Sequence, residues 1–568
     1  MKNKYSYKIY TRLRVFILLL SFFLTTFSIT GFNDSSLLYS SYFGGTGNDH
    51  GLCVTQDSQG NIIVAGITYS SDFPTTDGAY DTTFNGESDI FISKWSSDGE
   101  TLLFSTFLGG SDNDTYIEST GVAYYSLEII VDSNDDILIY GTTSSTDFPT
   151  TTGALNETNN GNCDVFLTKL AKNGSTLIFS TFLGGSERDF FNLGNNRLVL
   201  DDNDVIYITG QTESVDFPLS SNALNDSIRV REVFLCKISP DGSSVLYSTL
   251  LGGSEKEFGM VLALDNDNNM IIGGVTYSND YPVTASAFDT TYSNNDIFIS
   301  KISADGSTLM FSTYIGDSGW EQVTGMTVDE NNDIYFIGAT SSSNFPTTTS
   351  SLDPSINGLF DIFVSKLSAD GSTMLTSTFI GGTNSEFPSC LVLSATNQLY
   401  VLGYTMSTVS TTPNAFDNDL NGLSDYLIVK LNPSLTNLTY ASYLGGTATD
   451  DHGVSGGANG HDAGEFLLLD TNSCLIVGST RSDDFPVTSD AYSSTFSGNS
   501  DVFITKLTDI NVELTTDETT IGETSTTTKE EGDTTPTSNM SAAAGFTTFL
   551  FLVGLVVIIS IRRILRRE

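Results

Sequence analysis

The feature that most constrains this chain is a glycine pair that recurs seven times. The copies or their relics are Gly44-Gly45, Gly109-Gly110, Gly184-Gly185, Gly252-Gly253, Gly316-Asp317, Gly381-Gly382 and Gly445-Gly446, spaced 64 to 75 residues apart. Periodicity of this length marks a repeat architecture and has to be explained before any local motif. Between pairs the order is fixed. A short apolar run (Leu52 to Thr55) leads to a polar turn, Asp57-Ser58-Gln59-Gly60-Asn61, and a second run, Ile62 to Ile67. A loop with Asp72-Phe73-Pro74 follows, then Asp89 to Lys94, a turn at Ser97-Asp98-Gly99, and Leu102 to Leu108. These are four strands per repeat, rich in Ile, Val, Phe and Tyr and bounded by Gly, Asn, Asp and Pro. The turns between the first and second strands, and between the third and fourth, are too short for a crossover, so neighbouring strands are antiparallel.

A four-stranded antiparallel sheet repeated radially is a propeller blade, and counting gives the blade number. The third strand occurs seven times, at 89–94, 164–169, 232–237, 296–301, 361–366, 425–430 and 501–506. The fourth strand also occurs seven times, but its first copy, Leu37 to Phe43, precedes every first strand, and none follows Leu507. The expected fold is therefore all-β: a seven-bladed β-propeller over 37–509 in which the N-terminal strand closes the last blade. Closure pairs two sheet edges that would otherwise expose backbone donors and acceptors. A tandem row of small sandwiches is a poor alternative, because roughly 67 residues bury little surface on their own.

The repeats resemble the SBBP-type β-propeller repeats, in which Gly-Asn-x-[Tyr/Ile]-[Val/Ile]-x-Gly-x-Thr-x-Ser-x-[Asp/Asn]-[Phe/Tyr]-Pro precedes an Asp-x-Phe-[Ile/Val]-x-Lys strand and an Asp-Gly turn. The matches include Gly60 to Pro74, Asp265 to Pro282 and Asn332 to Pro346, with strands Asp89 to Lys94, Asp296 to Lys301 and Asp361 to Lys366. The resemblance covers nearly all of 37–509. It implies a propeller of the surface or secreted kind and transfers no catalytic residue. Repeat six departs by having Ser407 to Pro413 in place of Asp-Phe-Pro, and repeat three replaces the strand's Asp with Glu232.

The ends of the chain speak to location. Residues 1–31 combine Lys2, Lys4, Lys8, Arg12 and Arg14 with a nearly uncharged run, Val15 to Thr30, the layout of a signal peptide or signal anchor. Residues 542–561 are an uncharged run of membrane-spanning length, followed by a basic tail, 562–568, whose arginines belong on the cytoplasmic side. Between ring and membrane, 510–541 is Thr-rich and acidic with no aromatic residue, and reads as an extended stalk. The expected localisation is a cell membrane, single-pass, with the propeller outside. Sequons at Asn33, Asn113, Asn156, Asn173, Asn225 and Asn437 fit a glycoprotein.

Charge narrows the partners. The formal net charge is -44, which repels nucleic acid and anionic headgroups. The partners expected are the membrane, through the C-terminal helix, and a glycan or surface protein, with no nucleic acid. Seven of the basic residues are one repeated lysine: Lys94, Lys169, Lys237, Lys301, Lys366, Lys430 and Lys506. Its stem is expected to pack between blades while the ammonium reaches a carboxylate at the rim. Cys53, Cys163, Cys236, Cys390 and Cys474 have no disulfide or metal spacing and read as buried small apolar residues.

The long loops all emerge on one face, which is where binding is expected. Insertions after Gly110 and Gly446 enter blades 2 and 7, on either side of blade 1. The second brings together Asp450, Asp451, His452, His461 and Asp462, donors suited to zinc or another transition metal; a solvated polar loop is the bland reading. Calcium is the cofactor that oxygen-rich turns such as Asp201 to Asp204, Asp265 to Asn269 and Asp329 to Asp333 would take, although none has EF-hand spacing. No nucleophile elbow, metalloprotease helix or phosphate loop is present. A binding, adhesion or envelope scaffold module is the first reading; an extracellular hydrolase of surface polysaccharide or protein is the alternative.

Overall fold

The computed structural model describes residues 36–117, 123–124, 127–190, 197–450, 464–470, 472–508 and 510. The signal segment, the stalk beyond Ile510 and the 542–561 span lie outside them; Ile510, placed by the sequence in the stalk, is instead buried in the hydrophobic core. Among the described residues no helix is long and apolar enough to cross a membrane.

The described chain forms seven antiparallel four-stranded sheets arranged as a propeller. Blade 1 runs outwards through Asp49–Gln56, Ile62–Thr68, Asp89–Trp95 and Leu102–Leu108. The first strand is innermost, and Asp49–Gln56 packs against its counterparts in the flanking blades. It is longer than the sequence pattern gives, because a bulge between Gly51 and Cys53 lets pairing continue to Asp49. In blade 3 the inner strand is split into Asp189–Phe190 and Leu198–Leu200, both paired to Ile206–Thr212. The insertion entering blade 2 carries a small hairpin, Tyr116–Ile117 with Ala123–Tyr124.

Ring closure follows the offset in the sequence. Leu37–Phe43 pairs antiparallel with Asp501–Leu507, from Leu37↔Leu507 to Phe43↔Val502, and completes a sheet with Cys474–Thr480 and Glu465–Leu468.

The turn chemistry explains the short-turn residues. In blades 1 to 6 the fourth residue of the first turn adopts a left-handed backbone: Gly60 (φ 80), Asp135 (φ 66), Asp204 (φ 58), Asn268 (φ 58), Asn332 (φ 64) and Asn397 (φ 58). Gly, Asn and Asp are the residues that tolerate this region. The turn between the third and fourth strands needs the same conformation at Gly99, Gly174, Gly242, Gly306 and Gly371. There an aromatic ring of the preceding blade (Tyr39, Phe104, Phe179, Tyr247 or Phe311) lies where a Cβ would stand.

The Thr, Ser, Asp and Phe of the Thr-x-Ser-x-Asp-Phe-Pro stretch each have a structural task on the long-loop face. In blade 1 the Thr68 hydroxyl donates to Asp49 Oδ1 (2.5 Å) and the Ser70 hydroxyl to Asp49 Oδ2 (2.9 Å). Asp72 accepts from Thr46 N–H and Oγ1 (2.9 and 3.0 Å), tying together the loops on either side. Phe73 is buried and stacks on Phe91 of the third strand at 4.5 Å.

Candidate functional site

Every blade junction contains two buried electrostatic layers, one at each end of the strands. At the short-turn end, Lys94 Nζ lies 2.8 Å from Asp57 Oδ2 of its own blade and donates to the Lys172 carbonyl of the next at 3.2 Å. Lys169 repeats this with Asp132 (2.5 Å) and the Pro240 carbonyl (3.3 Å), and Lys301 with Asp265 (2.6 Å) and the Ala369 carbonyl (3.4 Å). Lys366 bridges Asp329 (2.9 Å) and Asp333 (3.0 Å) and stands over the Tyr335 ring. Lys237 and Lys430 stand over Tyr207 and Tyr400, each at 4.9 Å, and the charge of Lys506 acts on Asp470 and Asp98.

The acidic turns are thus already engaged. Asp57 accepts from Gln59 and Asn61 N–H, the Asn61 side chain and Lys94. Burial by itself would raise its pKa, but these hydrogen bonds outweigh it and hold Asp57 below the ordinary carboxylate range. Asp132 and Asp265 are lowered in the same way.

The long-loop end is built from carboxylates alone. Five residues after the first glycine of each pair stands a buried Asp or Glu that meets the buried Asp or Glu at the start of the third strand of the preceding blade; in five blades it opens the first strand, whereas Asp114 and Asp450 precede Leu127–Val131 and Glu465–Leu468. The pairs are Asp501 with Asp49, Asp89 with Asp114, Asp164 with Asp189, Glu232 with Glu257, Asp296 with Glu321, Asp361 with Glu386, and Asp425 with Asp450; each side chain is at most 1% exposed. The member that follows the glycine pair accepts the N–H of its second glycine, as in Gly45 to Asp49 (2.7 Å), Gly110 to Asp114 (2.8 Å) and Gly382 to Glu386 (2.8 Å).

The first glycine is required by space. A Cβ on Gly44 would come within 3 Å of both Asp49 and Asp501, and one on Gly109 would strike both Asp114 and Asp89. Oxygens of Asp89, Asp164, Glu232, Glu257, Glu321 and Asp425 at these junctions have no hydrogen-bond partner. Burial, reinforced by the partner's charge, pushes Glu232 up to about 8, Asp164 and Asp425 to about 7, and Asp361 and Asp501 to about 6. Near neutral pH the pairs that contain Glu232, Asp164 and Asp425 share a proton.

Of the five candidate metal ligands, Asp450 belongs to this carboxylate layer. It accepts from Gly446 N–H (2.5 Å) and from the hydroxyls of Ser482 (2.7 Å) and Thr480. Asp451, His452, His461 and Asp462 lie outside the described residues. Among the described residues no group of three or more His, Cys, Asp or Glu is arranged to hold a metal. The third histidine, His50, is buried, which lowers its pKa to about 3 with help from Arg481. All five cysteines are buried and free, and burial raises every thiol.

One inner-strand position breaks the repeat on one side of the channel. Counted four residues back from the start of the first turn, the blades carry Cys53, Glu128, Arg197, Val261, Gly325, Cys390 and Glu465. Glu465, Glu128 and Arg197 fall in blades 7, 2 and 3, around blade 1. Glu465 accepts Val54 N–H at 2.6 Å, and burial reinforced by Glu128 pushes it up to about 8. Arg197 is fully buried with Nη1 3.6 Å from Glu128 Oε1. A protonated Glu465 beside an arginine-paired Glu128 can donate a hydrogen bond into the channel wall or hold a proton. The signal was present in the sequence: charges at a position that is otherwise small or apolar, visible only once repeats are aligned through their turns.

No family model matches the chain. Over 322 residues, 53% of this chain, it is 23% identical to the Regulatory protein FlaEY of Caulobacter vibrioides, and it spans 31% of that relative's length. Among solved structures it is similar to the Dos1 propeller (TM-score 0.39, 10% identity, covering 83% of this chain and 95% of that one). It is also similar to the polysaccharide lyase Uly1 (0.42, 8%, 84% and 100%) and to BamB from Moraxella catarrhalis (0.33, 9%, 83% and 99%). Likenesses at these scores carry no argument about chemistry; the propeller rests on this chain's own sheet topology.

Proposed function

We propose that this chain is a membrane-anchored extracellular β-propeller of the SBBP-repeat type that serves as a binding, adhesion or envelope scaffold module. The observation that carries the reading is the clamped long-loop face. Loops on both sides of a junction are tied by Asp72 to Thr46, Asp147 to Ser111 and Asp216 to Ser186, so the closed ring presents them as a fixed surface. Rigid loops on a scaffold lose little entropy when they engage a partner. The signal segment, the acidic stalk, the 542–561 span and the sequons support an outward-facing, glycan-bearing propeller held clear of a membrane.

The alternative, an extracellular hydrolase, would have to use carboxylates such as Glu128 and Glu465. Each already has a partner within the wall, Arg197 for one and the Val54 N–H for the other, which favours the binding reading.

The test is a glycan and cell-surface protein array probed with the detergent-solubilised full chain, in calcium and again in chelator. Saturable binding is the expected result. Silence in both conditions, together with release of the chain from membranes by alkaline carbonate, would remove both halves of the proposal.

A further inference from the structure

Six blades fill the same internal spot with an aromatic ring of their own. Phe73, Phe148, Phe217, Tyr281, Phe345 and Phe485 each stack on the third-strand Phe of their blade at 4.3 to 4.7 Å. All six are buried, with at most 4% of their surface exposed. Blade 6 has neither partner. Aligned through Thr68 and Thr405, whose hydroxyls accept from Ser70 N–H and Ser407 N–H alike, Ser410 stands at the place of Phe73 and Val409 at that of Asp72. Aligned through the third strand, Leu427 stands at the place of Phe91.

The space left is a cavity of about 190 Å³ between blades 5 and 6, lined among others by Phe379, Ile380, Val409, Ser410, Leu427 and Val429. Ile380, at the place of Phe43 that meets Phe73 at 4.8 Å in blade 1, is left only partly buried. Leu352, 39% exposed, and the exposed Ser410 lie where the cavity opens.

The same junction lost a second aromatic, and there the chain compensates. Thr376 stands where Phe311 and its counterparts pack on a turn glycine, and that glycine has become Leu435, fully buried at φ 54. A bulky residue holds a left-handed backbone only at a cost. At Thr376 the missing ring is thus replaced from within the chain; at Ser410 the cavity remains.

We propose that this cavity is a binding site for one monocyclic aromatic ring carried by an external ligand, entering as the phenyl ring of Phe73 enters its own blade. Apolar cavities of about 150 Å³ lined by Leu, Ile and Phe accept benzene, so the volume suits a single ring. The six filled copies supply the template for the ring's neighbours and for the proline that follows it. The inference deepens the binding reading by giving its ligand a chemistry, and it fails separately from that reading, since the ring site can be empty while the loop face binds something else.

The probe is N-acetyl-(4-fluoro)phenylalanyl-prolinamide, observed by fluorine NMR with the full chain in detergent. A saturable shift or broadening is expected with the natural chain. Ser410→Phe with Thr411→Pro, which restores the motif, should abolish the signal and raise the melting temperature by several degrees. Val215→Asp, at an exposed loop residue of blade 3 remote from the cavity, should leave the signal. No signal from the natural chain, a signal that survives in the filled variant, or a filled variant that melts lower would each overturn the proposal.

Discussion

At the turn end of the junction between blades 2 and 3, the Lys169 ammonium lies 2.5 Å from Asp132. At the loop end of the same junction, Asp164 and Asp189 crowd the space beside Gly184. The first arrangement attracts and lowers a carboxylate pKa; the second repels and raises two. The difference teaches that the turn end of the junction is held by attraction between opposite charges, while the carboxylate layer beneath the clamped long loops becomes less favourable as its members ionise.

The comparison breaks most severely if the attractive layer loses its cation. Lys169→Met leaves Asp132 buried and unpaired, which should cost about 3–5 kcal/mol, read from chemical denaturation. Adding Asp132→Asn should recover a good part of it, and no recovery would show that the lysine acts through packing alone.

The next effect is the pH dependence of the whole ring. Loop-end carboxylates such as Asp501, Asp425, Glu257 and Glu232 are raised, so the unfolded chain ionises before the folded one. Stability should therefore fall as pH rises from about 4 through the folded values near 6 to 8. At the turn end Asp57, Asp132 and Asp265 are lowered, so their contribution is present above about pH 4 and lost below it. Together they give a stability maximum near pH 4 to 6 and a loss on the order of several kcal/mol by pH 8, summed over the junctions. A melting temperature that rises from pH 5 to pH 8 would contradict this assignment.

Glu232→Gln sharpens the comparison at one junction. At pH 8 it removes a repulsion with Glu257 and should stabilise by about 1 kcal/mol, while at pH 5 it should be nearly neutral. The smallest effect is expected on the surface. Arg229 and Asp280 form an ion pair at 3.2 Å with side chains 56% and 47% exposed, and Arg229→Ala should change stability by less than about 0.5 kcal/mol.

The ring was legible in the sequence because hairpin turns and glycine pairs are local signals, and because Leu37 to Phe43 has no first strand before it. The lysine stood out because one residue type recurs at the same place in all seven third strands. Its acidic counterpart did not: each stands five residues after the first glycine of its pair, but Asp49, Glu257 and Asp450 alternate in type, and their partners come from the preceding blade. Asp450 in particular sits next to Asp451 and His452 in sequence, which joined it to a different constellation from the one its side chain enters. The vacancy at blade 6 was half visible, as a missing Asp-Phe-Pro. That the companion Phe had also gone, to Leu427, mattered only once the two were seen to stack in every other blade.

The offset closure has a mechanical consequence. Leu37 and Leu507 oppose each other at one edge of the closing sheet, so the chain enters and leaves the ring side by side. Tension drawn between the chain before Leu37 and the chain after Leu507 would open that pair like a zip, breaking its hydrogen bonds in sequence rather than together. A pull transmitted from the loop face to the C-terminal side alone reaches Leu507 through Cys474–Thr480 as well as through Leu37–Phe43, and so meets two neighbours in place of one. A ring held at one end and loaded through its ligand is thus the stronger arrangement, and one held at both ends the weaker.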